Sequence, residues 1–166
     1  MLIGRKFFEY EQANRRIHEI EQKEVEYMIQ KEKYLNEQEI EKSNITQFQA
    51  QPINDDIRIE LALCKQRIFL LQKDLDRLEE KWREESLIFM QEKYDLEQKI
   101  NELKTIIPNQ HWKIYQRIKE TKENPVVEVK HQMCTGCFMP LSQTNLNRWR
   151  RGKDLVLCEV CDRILA

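Results

Sequence analysis

Near the end of the sequence, Cys134-Thr135-Gly136-Cys137 and Cys158-Glu159-Val160-Cys161 form two Cys-x2-Cys pairs with twenty residues between them. Soft thiolates at this spacing can close two tight turns round one tetrahedral Zn²⁺. Two disulfides or a dithiol redox pair are the competing readings. A redox Cys-x-x-Cys needs only one pair on a βαβ scaffold, and no such pattern surrounds these. Four thiolates fill a tetrahedral shell and leave no position for water, so one structural ion that holds shape is expected.

The segment between the pairs contains Arg148-Trp149-Arg150-Arg151-Gly152-Lys153, with Asn145 and Asn147 just before it. Arginines interleaved with an aromatic can hold phosphates and stack an unpaired base, which makes single-stranded RNA the natural nucleic-acid ligand. The plainer alternative is a solvated loop with Trp149 packed against the metal module. Catalysis is not expected: there is no phosphate-binding Gly loop, no nucleophile with its base and no open metal position. Glu85 and Glu92, one heptad apart, have no His or nucleophile beside them.

The rest of the 166-residue chain must position this module. It is 34% charged, with only 3 Gly and 4 Pro. Such a composition favours long helices over one compact globule. No apolar run approaches the roughly twenty residues needed to cross a bilayer, and Met1-Leu2-Ile3-Gly4-Arg5-Lys6 lacks a signal-peptide core. A soluble protein of the reducing cytoplasm is expected. Residues 1–107 hold 18 Lys+Arg against 23 Asp+Glu, a balance of −5, and residues 108–166 hold 10 against 6, a balance of +4. Four thiolates with one Zn²⁺ carry −2, which leaves the tail only weakly basic.

From about Phe7 to about Ser43, Tyr10, Ala13, Ile17 and Ile20 follow helical spacing, and Val25, Met28 and Leu35 resume it one residue out of phase. The apolar stripe is narrow, so this helix needs a partner. Residues 44–54 gather Ser, Asn, Thr and Pro52 and read as a connection, with Asn54, Asp55 or Asp56 as cap. A second helix follows. Its positions 57, 61, 64, 68, 71, 75, 78, 82, 85, 89, 92, 96, 99, 103 and 106 alternate 4 and 3 and are mostly apolar. Cys64 lies on this seam as a small buried residue. The stripe should drift near residues 85 to 100, because Ile100 and Ile107 sit one residue beyond it. An antiparallel hairpin with its turn near 45–54 would pair Met28 with Leu71, Leu35 with Cys64, and Ile17 with Trp82. A dimer through the coiled coil is the competing arrangement.

After Pro108, Asn109 can cap a short helix with Trp112, Tyr115 and Ile118 on one face, which should dock the metal module onto the helix ends. Val126–Val129, Leu155–Leu157 and Ile164–Leu165 read as three short strands, and Gly136 as the residue freeing a tight metal-binding turn. The expected fold is thus mostly α: a long antiparallel coiled-coil hairpin over 1–107, a connecting helix over 108–123, and a small zinc ribbon over 124–166.

Tyr115 to Lys122, Pro125-Val126-Val127, Cys134-x-Gly-Cys137-Phe138-Met139-Pro140-Leu141 and Cys158-x-x-Cys161-x-Arg163-Ile164-Leu165 together resemble the bacterial coiled-coil proteins with a C-terminal C4-type zinc ribbon. The resemblance is close over about the last fifty residues and one of layout elsewhere. It implies a regulatory adaptor of the kind assigned to flagellar regulators, acting through the sigma-54 factor of RNA polymerase and through messenger RNA. Two departures are a shorter hairpin and Asp162 in place of the glycine that usually follows the last cysteine. Asp tolerates the left-handed backbone such a position needs. The function expected is a non-enzymatic adaptor that binds transcription machinery, RNA or both. The alternative is a protein–protein scaffold without nucleic acid.

Overall fold

The computed structural model describes residues 2–166. Four helices and four two-residue strands follow in the order α1 (Ile3–Gln49), α2 (Asp55–Ile106), α3 (Asn109–Thr121), β1 (Val126–Val127), β2 (Val129–Lys130), β3 (Met133–Cys134), α4 (Gln143–Arg151) and β4 (Ile164–Leu165). The protein is mostly α, as its composition demands. Packing divides it into two compact units, one formed by residues up to His18 together with Lys93–Ala166, the other by Glu19–Glu92.

The Glu19–Glu92 unit is an antiparallel helical hairpin. Helix α1 runs six residues past its expected end at Ser43. Nothing between Ser43 and Gln49 forbids a helix: Thr46 returns its hydroxyl to the Lys42 carbonyl at 3.1 Å, as Ser and Thr do inside helices. Ile45 and Phe48 stay half-buried and prolong the inner stripe. The helix ends where Pro52 disfavours helical backbone just before it. Asn54 then caps α2, its side-chain oxygen accepting from the Ile57 N–H at 2.8 Å, and Asp55 and Asp56 oppose the dipole of the first turn.

Moving the tip of the hairpin shifts its register. Tyr27 stacks on Trp82 at 4.6 Å, Lys31 pairs with Glu79 at 2.7 Å, and Glu41 pairs with Arg67 at 2.9 Å. Facing residue numbers therefore total 108 to 110, about ten more than the expected pairs. Met28 and Leu35 do not meet Leu71 and Cys64; both are exposed. The α2 seam itself lies as expected, with Ile57, Cys64, Leu75 and Phe89 buried. The Cys64 thiol sits in that interior beside Glu41. Burial, and then the neighbouring carboxylate, push it above its ordinary value.

The other unit is built from helix ends and the ribbon. Here the α2 stripe drifts by one residue, since Ile100, Leu103 and Ile107 are buried while Lys99 and Ile106 are exposed. Leu103 and Ile107 join Phe7 of α1, Tyr115 and Ile118 of α3, and Val126, Leu155 and Ile164 of the ribbon in one apolar cluster. Phe7 lies at its centre, stacked on Tyr115 at 5.0 Å and edge-on to Trp112 at 4.9 Å. The Tyr115 hydroxyl donates to Glu11, which also pairs with Lys119 at 3.2 Å. Helix α3 does carry the expected apolar face, but it begins differently. Pro108 is the capping residue, with no side-chain hydrogen bond, and Asn109 is already inside the helix.

Candidate metal centre

The ribbon is a pair of two-stranded ladders. Strand β1 runs parallel to β4, matching Val126 with Ile164 and Val127 with Leu165. Strand β2 pairs antiparallel with β3, setting Val129 opposite Cys134. The Leu155–Leu157 stretch, expected as a strand, is extended chain that forms a single bridge from Leu157 to Ile164. Its side chains still serve the interior, with Leu155 and Val156 buried.

The two Cys-x2-Cys turns repeat one another. In each, the first cysteine is buried and the second half-exposed. The residue after the second cysteine turns left-handed, at φ 58° for both Phe138 and Asp162. Its N–H returns to the first cysteine's carbonyl: Phe138 to Cys134 at 2.8 Å and Asp162 to Cys158 at 3.0 Å. Asp162 thus adopts the backbone that a glycine would favour. Gly136 does a different task from the one expected. Its φ is not positive; a Cβ there would lie 2.8 Å from the Arg163 side chain and 2.9 Å from that of Val127. Space, and not backbone freedom, requires glycine at this position.

All four sulfurs lie within 4.8 Å of one another, with Cys134 to Cys161 and Cys137 to Cys158 each at 3.7 Å. A tetrahedron with Zn–S bonds of about 2.3 Å has edges of about 3.8 Å. The donor set and its dimensions therefore fit one Zn²⁺. Backbone N–H groups of Gly136 and Cys137 point at Cys134, and those of Val160 and Cys161 at Cys158. Burial nevertheless pushes the Cys134 thiol up to about 12 and raises that of Cys158. Burial also opposes ionisation of Cys161, but the N–H and guanidinium of Arg163, together with hydrogen bonds from Cys158 and Cys137, outweigh it and bring that thiol down to about 7. A bound Zn²⁺ supplies the positive charge that lets all four stay thiolate.

Arg163, so far only part of the family pattern, is a supporting residue. Its guanidinium donates to the Asn124 carbonyl at 2.9 Å and the Gly136 carbonyl at 3.3 Å, tying one turn to the other. Asn145 is a second. It is buried, and its amide donates to the Leu157 carbonyl at 3.0 Å. Cys134, Cys158, Val127, Leu141, Leu146, Val156 and Leu165 form the cluster that encloses the site.

The residues between the turns are helical. Ser142 caps α4 by accepting from the Asn145 N–H at 3.2 Å, and Gly152 closes it in the left-handed conformation at φ 61°. Leu146 is buried, and Trp149 is half-buried against the ribbon interior with its indole N–H enclosed. Arg148, Arg150 and Arg151 are exposed in the last turn, where cations suit the helix dipole. Lys153 lies beyond the helix.

Residues 133–165 match the C4-type zinc ribbon domain. No curated protein matches the chain. Among solved structures, CT398 from Chlamydia trachomatis is similar, with a TM-score of 0.50 and 20% identity, covering 97% of this chain and 84% of that one. The HP0958 protein from Helicobacter pylori aligns over 98% of this chain and 84% of its own, with 19% identity and a TM-score of 0.44. The Chlamydia structure shares the fold. Residues 133–165 are thus a structural zinc-binding module carried by a long-helix protein, in which none of the described helices is long and apolar enough to cross a membrane.

Proposed function

We propose that this protein is a non-enzymatic regulatory adaptor of the bacterial cytoplasm. Its ribbon displays cations to single-stranded RNA, and its hairpin docks a protein of the transcription machinery, a sigma factor being the kind of partner meant. The observation that carries the RNA reading is the exposed trio Arg148, Arg150 and Arg151. No carboxylate partner is seen for any of them among the described residues, and a helix packed through Leu146 and Trp149 on the cluster around the cysteines carries them. Such guanidinium groups suit phosphate oxygens. Trp149 is held by the ribbon interior and is left out of the ligand set. The protein-partner reading rests on Val25, Met28, Ile29 and Leu35, which are exposed in succession along α1.

Replacing Arg148, Arg150 and Arg151 with Ala should weaken retention of oligouridylate and flatten its salt dependence by about 0.7 log units per lost contact, with zinc content unchanged. Unchanged affinity removes the RNA role. Affinity capture with the hairpin intact, with and without nuclease, then separates this adaptor from a scaffold that binds proteins alone.

A further inference from the structure

In the unit that contains the ribbon, Ile3, Lys6, Ile106, Ile107, Pro108 and Lys153 line an open groove of about 320 Å³. Its floor is aliphatic, and Ile106, a large apolar side chain, is left 45% exposed in it. Two lysines stand in the lining and no carboxylate does. The acid one turn along α1, Glu9, is engaged elsewhere, by Arg5 at 3.9 Å and Lys99 at 3.5 Å. Lys6 and Lys153 thus have no carboxylate partner among the described residues. Helices α1 and α3 both begin at this groove, and neither carries an acid in its first turn, so both helix ends favour an anion there. The opposing carbonyl end of α2 carries Lys104 in its last turn.

We infer that this groove binds an acidic peptide segment of a partner protein, an aliphatic side chain resting on the isoleucines and a neighbouring carboxylate lying between Lys6 and Lys153. A cavity of about 150 Å³ accommodates benzene, so the groove has room for about two side chains of that size. An aliphatic floor favours peptide over RNA. Phosphates would satisfy the lysines, but sugars and bases would leave the isoleucines covered by polar groups, with no aromatic ring for stacking. The site is independent of the α4 arginines, and it assigns Lys153 to the groove and not to their phosphate-binding set.

The test is fluorescence anisotropy of the zinc-loaded full chain with a fluorescein-labelled peptide of alternating Asp and Leu. Lys6→Gln with Lys153→Gln should weaken binding about tenfold or more, and so should Ile106→Ser alone, with far-UV circular dichroism matching the parent's. The charge-matched pair Lys113→Gln and Arg117→Gln, on the exposed face of α3, should change it by less than about twofold. A peptide of alternating Asp and Ser should bind about tenfold more weakly. The inference is overturned if the Asp-Leu peptide does not bind, if either groove variant binds it like the parent, or if the Asp-Ser peptide binds equally well. Displacement of the peptide by oligouridylate from the parent but not from the lysine variant would assign the groove to phosphate and overturn it too.

Discussion

Phe7 lies over a hundred residues from any zinc-binding cysteine, yet its replacement by Ala should loosen the metal. The side chain is fully buried at the centre of the cluster that joins the helix ends to Val126, Leu155 and Ile164 of the ribbon. A buried Phe→Ala change costs about 3–5 kcal/mol. The lost ring contacts with Tyr115 and Trp112 are part of that cost. A loss of about 4 kcal/mol is expected. Zinc binding to a module with so small a core is coupled to folding, and each 1.4 kcal/mol is about tenfold in affinity. The weakening should therefore lie between about tenfold and a thousandfold. Competition with a chromophoric chelator measures it, alongside a denaturant titration followed by far-UV circular dichroism. Leu75→Ala is the control, a buried change of similar cost in the hairpin unit. With the helices still formed, it should leave zinc affinity within about twofold. Equal zinc affinity in the Phe7 variant and the parent, or equal weakening by both variants, would refute the linkage between helix ends and ribbon.

The purified protein should hold one zinc per chain by elemental analysis, and Cys158→Ser should abolish it while sparing most of the helical circular dichroism, which α1 and α2 dominate. Asn54→Ala should cost about 1 kcal/mol of hairpin stability in urea unfolding, because it removes the cap on the Ile57 N–H. At Glu41, burial works to raise the carboxyl, and Cys64, Arg67 and Asn44 outweigh it and hold it below the ordinary carboxylate range. A depressed carboxylate stabilises the fold above its unfolded value, about 4.3, and loses that contribution as pH falls through the folded value. The Tm gap between parent and Glu41→Gln should thus be open at neutral pH and close in acid.

What could be read in advance was what side-chain type reports directly. Cysteine spacing marked the metal, and the drift of the α2 stripe was visible because Ile100 and Ile107 stand one place past Lys99 and Ile106. The hairpin register was not readable, because α1 has too narrow a stripe to fix its own phase, and Ser, Asn and Thr mark a helix end only when tertiary contacts allow one. Ile45 and Phe48 decided otherwise. Helix α4 was hidden behind its arginines, although Ser142 and Gly152 stand where a start and a stop belong. Trp149 illustrates the same limit, since an aromatic among arginines looks alike whether it faces a base or a protein interior. The Leu155–Leu157 run was apolar for burial and not for a ladder.

The unit that carries the ribbon is discontinuous in the chain, with the hairpin inserted between its two stretches. Its first contacts, such as Phe7 with Tyr115, join residues over a hundred positions apart. Closing the intervening loop of 74 residues from Glu19 to Glu92 as random coil would cost about 4 kcal/mol in chain entropy. A hairpin already formed brings the flanking segments together in advance, and it is made of local helical contacts that assemble fast. The expected order of folding is hairpin first, zipping from the tip where Glu41 meets Arg67, with the ribbon condensing afterwards on the apolar helix ends.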